Sequence, residues 1–278
     1  MDRKYYFWNI IGRSFSFWFK NFGVFIKAAF APVLLQVLGL FAALYPMHYL
    51  TSVKKLTGEA LIPYLIPILI CLIFGIVLYC AGFWKYLLLN CYFCYGANDY
   101  DEDRGFYLEI YKKDILNRQG GFVKALLWPA LYGLLIFGGG TVLMLLCIKP
   151  KVPVLMLLAI FFVLATTVAL IIYSLKVSFV IPIFTLEKDL KPRDVLSKSL
   201  DMIKGRPLLV VFGLSVAVGV VTFVLQALLG FIAGFGAGIF LSKETALQIA
   251  RIVSNLASLV ILPFCVCIVT LAYKRFKE

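Results

Sequence analysis

Acid, histidine and paired cysteines are what this sequence has least of, and each shortage removes a class of chemistry. Its 278 residues include one histidine, His48, and 14 acidic residues against 27 lysines and arginines. A lone histidine in a polar link excludes an HExxH zinc site and a Ser/His/Asp triad. The carboxylates, from Asp2 to Glu278, all fall in links, tails or polar-faced segments, so no long apolar run carries one. Proton-coupled carriers, ion pumps and intramembrane aspartyl proteases need a carboxylate at membrane depth, and this chain is expected to be none of them.

The seven cysteines are odd in number and lie mostly inside apolar runs, which is no disulfide framework. Cys91 and Cys94 form one CxxC with neither a second pair nor a nearby histidine, so they read as small packing residues rather than a zinc or redox site. Asp99, Asp101, Glu102 and Asp103 open like a calcium loop. Arg104, however, stands at the sixth position where glycine belongs, and Ile110 at the twelfth where glutamate belongs. The cluster therefore reads as a solvated acidic link. No catalytic residue, metal or cofactor is expected.

Charge of either sign is scarce too, at 15% of residues, where soluble domains carry about 25%. What fills the space is apolar: 63% of residues are hydrophobic, and the mean hydropathy is +0.97. Six apolar runs each exceed the ~20 residues that cross a bilayer as a helix, and none alternates like a barrel strand. The chain is expected to be a single all-α integral membrane domain over residues 1–278 with six transmembrane helices. The runs lie at about Phe22–Tyr45, Leu61–Tyr95, Gly120–Ile148, Val154–Phe184, Pro207–Phe240 and Ala246–Tyr273. The basic excess has an ordinary use in such a protein, and no basic run interleaves with stacking aromatics, so nucleic acid is not an expected partner.

Between the runs lie segments whose polarity is sorted by face. From Val195 to Ile203, Val195, Leu196, Leu200, Met202 and Ile203 fall on one side of a helix, with Asp194, Ser197, Lys198, Asp201 and Lys204 on the other. Pro192 suits its first position and Gly205 its end. Residues 4–20 repeat the pattern, with a polar stripe at Asn9, Arg13, Ser16 and Lys20. Their polar interruptions and the lack of a cleavage site make a removable signal peptide unexpected. Tyr107–Arg118 is a third, less cleanly sorted segment. All three are expected to lie in the membrane plane at the cytoplasmic face.

Lysine and arginine concentrate in the N-terminal segment, the second and fourth links and the tail, whereas the remaining links hold only Lys54, Lys55, Lys149, Lys151 and Lys243. Both termini are expected in the cytoplasm. The order of in-plane helix, outward span and inward span occurs three times, giving pseudo-repeats at about 1–95, 96–186 and 187–278 built as three hairpins. Lys85, Lys176 and Lys274 recur near the inner ends of the inward spans.

Lys85 and Lys176 are the deepest charges, and snorkelling to headgroups is their expected use. With Glu187 and Lys204 they are the candidate lipid-headgroup contacts. Gln36, Gln226 and Asn255 suit hydrogen bonds between helices. Gly230, Gly234 and Gly238 make a GxxxGxxxG face for helix packing, within the chain, against a second copy or against a protein partner. The run Gly138 to Gly140 is expected to weaken its helix or admit a close neighbour.

The stretch Pro182, Glu187, Val195-Leu196, Ser199 and Lys204-Gly205, with Phe17-Trp18 to Asn21-Phe22 near the start, resembles two related groups. One is the membrane domain fused to bacterial glycerophosphoryl diester phosphodiesterases; the other is the YciC-like six-span bacterial membrane proteins of unassigned function. Valine stands where those families usually have alanine. The resemblance implies a six-helix protein of the bacterial inner membrane. It does not imply phosphodiesterase activity, since a barrel enzyme needs about 250 residues beyond the spans. The expected function is non-enzymatic: membrane or envelope organisation through binding of membrane lipids or a protein partner. The alternative expectation is a transporter or channel for a small or lipidic solute, through a path lined by Gln36, Gln226 and Asn255.

Overall fold

The computed structural model describes residues 4–52, 58–148, 152–240 and 242–277, excepting the side chains at 4–6, 44–52, 58–65, 244–245, 248, 251–252 and 255–260. The expectations for His48 and for the Asn255 side chain fall outside these. Every regular element among the described residues is a helix. In order they are α1 (Lys4–Lys20), α2 (Phe22–Ser52), α3 (Gly58–Asp101), α4 (Leu108–Ile148), α5 (Pro153–Val177), α6 (Val180–Leu186), α7 (Pro192–Met202), α8 (Arg206–Phe240) and α9 (Lys243–Lys277). Five helical stretches are long and apolar enough to cross a membrane: Phe22–Ala43, Ile66–Asp101, Leu108–Ile148, Pro153–Leu186 and Arg206–Phe240. Much of the sixth expected run, in α9, lies outside the described side chains.

Local sequence explains the boundaries. The residue before a proline is driven to extended backbone, and Lys191 has φ −67° and ψ 145°, so α7 starts at Pro192. It is followed by Gly205 at φ +62°, a conformation that glycine adopts without cost. The fourth apolar run breaks at Ser178 and Phe179, where α5 gives way to α6. Pro182 has no N–H to offer the carbonyl four residues back, at Ser178, so the ladder is interrupted there.

The second in-plane segment differs from expectation. Leu108 to Arg118 is no separate helix but the start of α4, which runs unbroken through Gln119, Gly120 and Gly121. The corresponding junctions at Asn21 and at Ile203–Gly205 do interrupt the chain. Two glycines lower helix propensity but cannot end a helix whose neighbours Phe122 and Ala125 are fully buried.

The chain forms two compact units. The first comprises Met1–Phe17, Cys91–Phe223 and Phe264–Glu278; the second comprises Trp18–Asn90 and Val224–Pro263. In the second unit, α2 and α3 touch backbone to backbone. A Cβ on Gly39 would stand 2.5 Å from the Tyr79 nitrogen, and one on Gly75 2.6 Å from the Ala43 nitrogen and the Gly39 carbonyl oxygen. The two residue numbers rise and fall in opposition, so the helices run antiparallel. Gly230 and Gly234 of α8 face Ala250 and Ser254 of α9, again in opposed order.

In the first unit, α4 and α5 pair antiparallel, with Gly140 against Thr166 and Gly133 against Tyr173. The Tyr173 hydroxyl donates to the Pro129 carbonyl at 2.9 Å. An added Cβ on Gly138 or Gly139 meets none of the described residues within 4 Å, so among these only the last of the three consecutive glycines serves a contact. In the most apolar window of α4, and likewise of Pro153–Leu186, just 6% of the residues are buried. The core of this unit lies instead towards the charged end of its helices, at Phe93, Cys94, Ile115, Phe122, Phe179, Ile183, Val195 and Ile203.

Candidate functional site

At this end of the first unit, acidic side chains collect cations from elements distant in sequence. Asp101, at the end of α3, pairs with Arg13 of α1 at 3.1 Å, with Lys274 of α9 at 3.0 Å and with Arg275 at 3.8 Å; its side chain is 7% exposed. Glu102, Asp103 and Arg104 are exposed, as expected of a solvated link, but Asp101 is not. Helix α3 carries Asp101 into the core, and three cations offset the cost of burying that carboxylate. Lys274, Arg275 and Lys277, which follow the sixth expected run, belong to α9 and bind this platform.

Asp114 of α4 accepts from Tyr95 and pairs with Lys188 at 3.0 Å and Arg118 at 3.7 Å. Arg118 does more. It donates to the Phe184 carbonyl at 2.7 Å and the Thr185 carbonyl at 3.4 Å, and it lies 4.6 Å from the Phe184 ring. Those carbonyls belong to the last turn of α6, where the helix supplies no partner. The planar fork of arginine satisfies both at once, which a lysine would not.

Glu187 closes α6 and is the third acidic hub. Its carboxylate accepts from Lys198 of α7 at 2.8 and 2.6 Å, from the Tyr273 hydroxyl, and from Lys277 at 2.9 Å. Burial alone would raise its pKa, but these donors outweigh it and hold the carboxyl down at about 2. The group is a permanent anion that ties α6 and α7 to α9.

The thiols of Cys91, Cys94 and Cys267 are buried in the same core, and the Thr270 hydroxyl meets the Cys94 sulfur at 3.3 Å. Among the described residues no set of three or more metal-binding side chains is grouped to hold an ion.

A groove of about 620 Å³ opens where α7 rests on the α4–α5 pair, lined by Trp128, Tyr132, Tyr173, Lys176, Arg193 and Leu196 among others. Ser199 fixes α7 there, its hydroxyl donating to the Lys176 carbonyl at 2.6 Å.

The four candidate headgroup residues have different surroundings. Lys85 is exposed on the part of α3 that belongs to the second unit. Lys176 lines the groove, Glu187 is engaged by its three donors, and Lys204 pairs with Asp201 at 2.5 Å. Among the described residues, Gly238 has only the Ala246 Cβ near it, at 3.9 Å from an added Cβ, a looser contact than those at Gly230 and Gly234. Sequence reading missed Asp101, Arg118, Tyr273 and Arg193. Arg13 gave a signal for Asp101, standing on the polar stripe of α1 in need of a partner. Nothing local announced the other three.

No protein-family model matches this chain, and no match is found among the curated proteins or the solved structures.

Proposed function

We propose that this chain is a non-enzymatic protein of the bacterial inner membrane, with both termini in the cytoplasm and six spans built as three hairpins, whose charged inner rim binds membrane lipid. The family resemblance of the Pro182–Gly205 stretch agrees with it, as do the close antiparallel contacts of α2 with α3, α4 with α5 and α8 with α9. The observation that carries the reading is how the carboxylates at the charged end are used. Asp101, Asp114 and Glu187 each join cations from other elements, and a glutamate whose pKa lies at about 2 holds helices rather than moving protons near neutrality. A platform of that kind presents a rigid face to the headgroup region, and the basic excess favours anionic lipid there.

Two measurements test this. Epitope tags at the two ends should resist protease in intact spheroplasts and be cleaved in inverted vesicles; one tag cleaved on each side overturns the six-span arrangement. The chain purified in mild detergent should retain phospholipid, seen by native mass spectrometry. A chain that carries none and takes up none from mixed micelles removes the lipid reading.

The transport alternative draws on Gln36 in α2, whose amide nitrogen is buried with no hydrogen-bond partner among the described residues. Gln36→Leu should abolish solute flux in proteoliposomes if that side chain lines a path.

A further inference from the structure

We infer that the groove between α4, α5 and α7 is a specific site for one anionic phospholipid, its phosphate held by Lys176 and Arg193 and an acyl chain lying along the aromatic wall. This rests on the lipid-binding reading above and gives it an address.

The two ends of the groove differ in chemistry as the two ends of a lipid do. Its apolar wall is Trp128, Tyr132, Ile172 and Tyr173, all on helices long and apolar enough to span a bilayer. That wall continues onto the exposed apolar surface of the same helices, where Trp128 is 38% and Ile172 41% exposed. Tryptophan and tyrosine prefer the depth at which headgroups meet chains. The polar end holds Lys176, in the last turn of α5, and Arg193, in the first turn of α7.

No acidic side chain lines the groove, and among the described residues neither Lys176 nor Arg193 makes an ion pair. This sets them apart from Lys188, Lys198, Lys204 and Lys274, each of which already has a carboxylate. Two unneutralised cations facing the same groove call for a phosphate. The Arg193 guanidinium stands 6.0 Å from the Trp128 ring, which places the cation beside the aromatic wall. The bond from Ser199 to the Lys176 carbonyl and that from Tyr173 to the Pro129 carbonyl fix the floor and one side, so little order remains to be imposed on binding. At about 620 Å³ the groove lies within the range of specific ligand sites and holds a headgroup with the upper part of a chain.

The full chain in detergent is titrated with phosphatidylglycerol, phosphatidylcholine and inorganic phosphate, with occupancy read by native mass spectrometry. The wild type should bind one phosphatidylglycerol in clear preference to phosphatidylcholine, and inorganic phosphate should not compete at equal concentration. The double variant Lys176→Ala, Arg193→Ala should bind phosphatidylglycerol about tenfold more weakly or worse, as loss of two interfacial cations requires. Lys243→Ala, a cation elsewhere in the chain, should leave it unchanged. Ala169→Trp fills the groove and keeps both cations. It should lose binding as well, which distinguishes a built site from general attraction to a basic surface. Unaltered binding in the double variant or in Ala169→Trp overturns the site while leaving lipid binding by the protein intact. Competition by inorganic phosphate makes it an anion site with no chain requirement and overturns it too. A wild type that binds neither lipid ends both this site and the broader reading.

Discussion

Glu187 shows what a single residue can decide in a chain with so little acid. Its side chain is 12% exposed, and its three donors come from α7 and α9. An ordinary glutamate titrates near 4.5 and this one near 2, so the folded state binds its proton more weakly than the unfolded state does. The stabilisation is therefore complete above about pH 4.5 and fades as pH falls from there through about 2. The shift corresponds to about 3 kcal/mol. Glu187→Gln should lower the thermal midpoint of the purified protein at pH 7 and flatten its pH dependence between pH 4.5 and 2. A variant that melts like the wild type across that window would show that Lys198, Tyr273 and Lys277 gain nothing from the charge. The position of Glu187 after an apolar run was readable from sequence. Its partners were not, because Tyr273 and Lys277 lie at the far end of the chain and no spacing rule links them to it.

At the scale of the element, glycines that look alike in sequence divide by what they face. Gly39 and Gly75 bring the α2 and α3 backbones together, and an added methyl at either meets main-chain atoms that cannot move aside. An added methyl on Gly139 meets none of the described residues within 4 Å. Gly39→Ala should therefore destabilise the protein by about 1–3 kcal/mol. Gly139→Ala should be neutral or stabilise by about 0.5–1 kcal/mol, the ordinary helix preference for alanine. Thermal unfolding in one detergent measures both, and equal effects would mean that α2 and α3 are not held by close approach. The helices themselves were largely legible: α7 begins at the proline and stops before the glycine that the sequence marks, and α8 fills its apolar run. Three boundaries were not. The Asn98–Arg104 link is mostly helix because Asp101 is buried with its cations, and Leu108–Arg118 merges into α4 because Tyr111, Ile115 and Phe122 form one continuous buried stripe. The α5–α6 break needed the consequence of Pro182 four residues upstream rather than at the proline itself.

For the whole molecule, the deciding fact is that apolar side chains stand exposed along α2, α3, α4, α5 and α8 while burial and ion pairing gather at the charged end of the first unit. In water, a surface of that extent would drive association. In lipid it is the ordinary state, because hydrocarbon solvates leucine as well as another leucine does. The two environments give opposite expectations for a charge placed on it. Leu164 sits near the middle of α5 with 61% of its surface exposed. A Leu164→Arg substitution on a water-facing helix would shift stability by no more than about 0.5 kcal/mol and would improve solubility. At the centre of a transmembrane helix it costs about 2.5–3.5 kcal/mol of insertion free energy. Expression of the variant should leave markedly less full-length chain in carbonate-washed membranes than the wild type, with Lys243→Ala as the matched control. Equal membrane recovery, or a variant that stays dispersed without detergent, would mean that α5 does not face lipid. That outcome would also leave the Lys176–Arg193 groove without a bilayer to draw from, so this one substitution bears on both the placement of the chain and the ligand assigned to it.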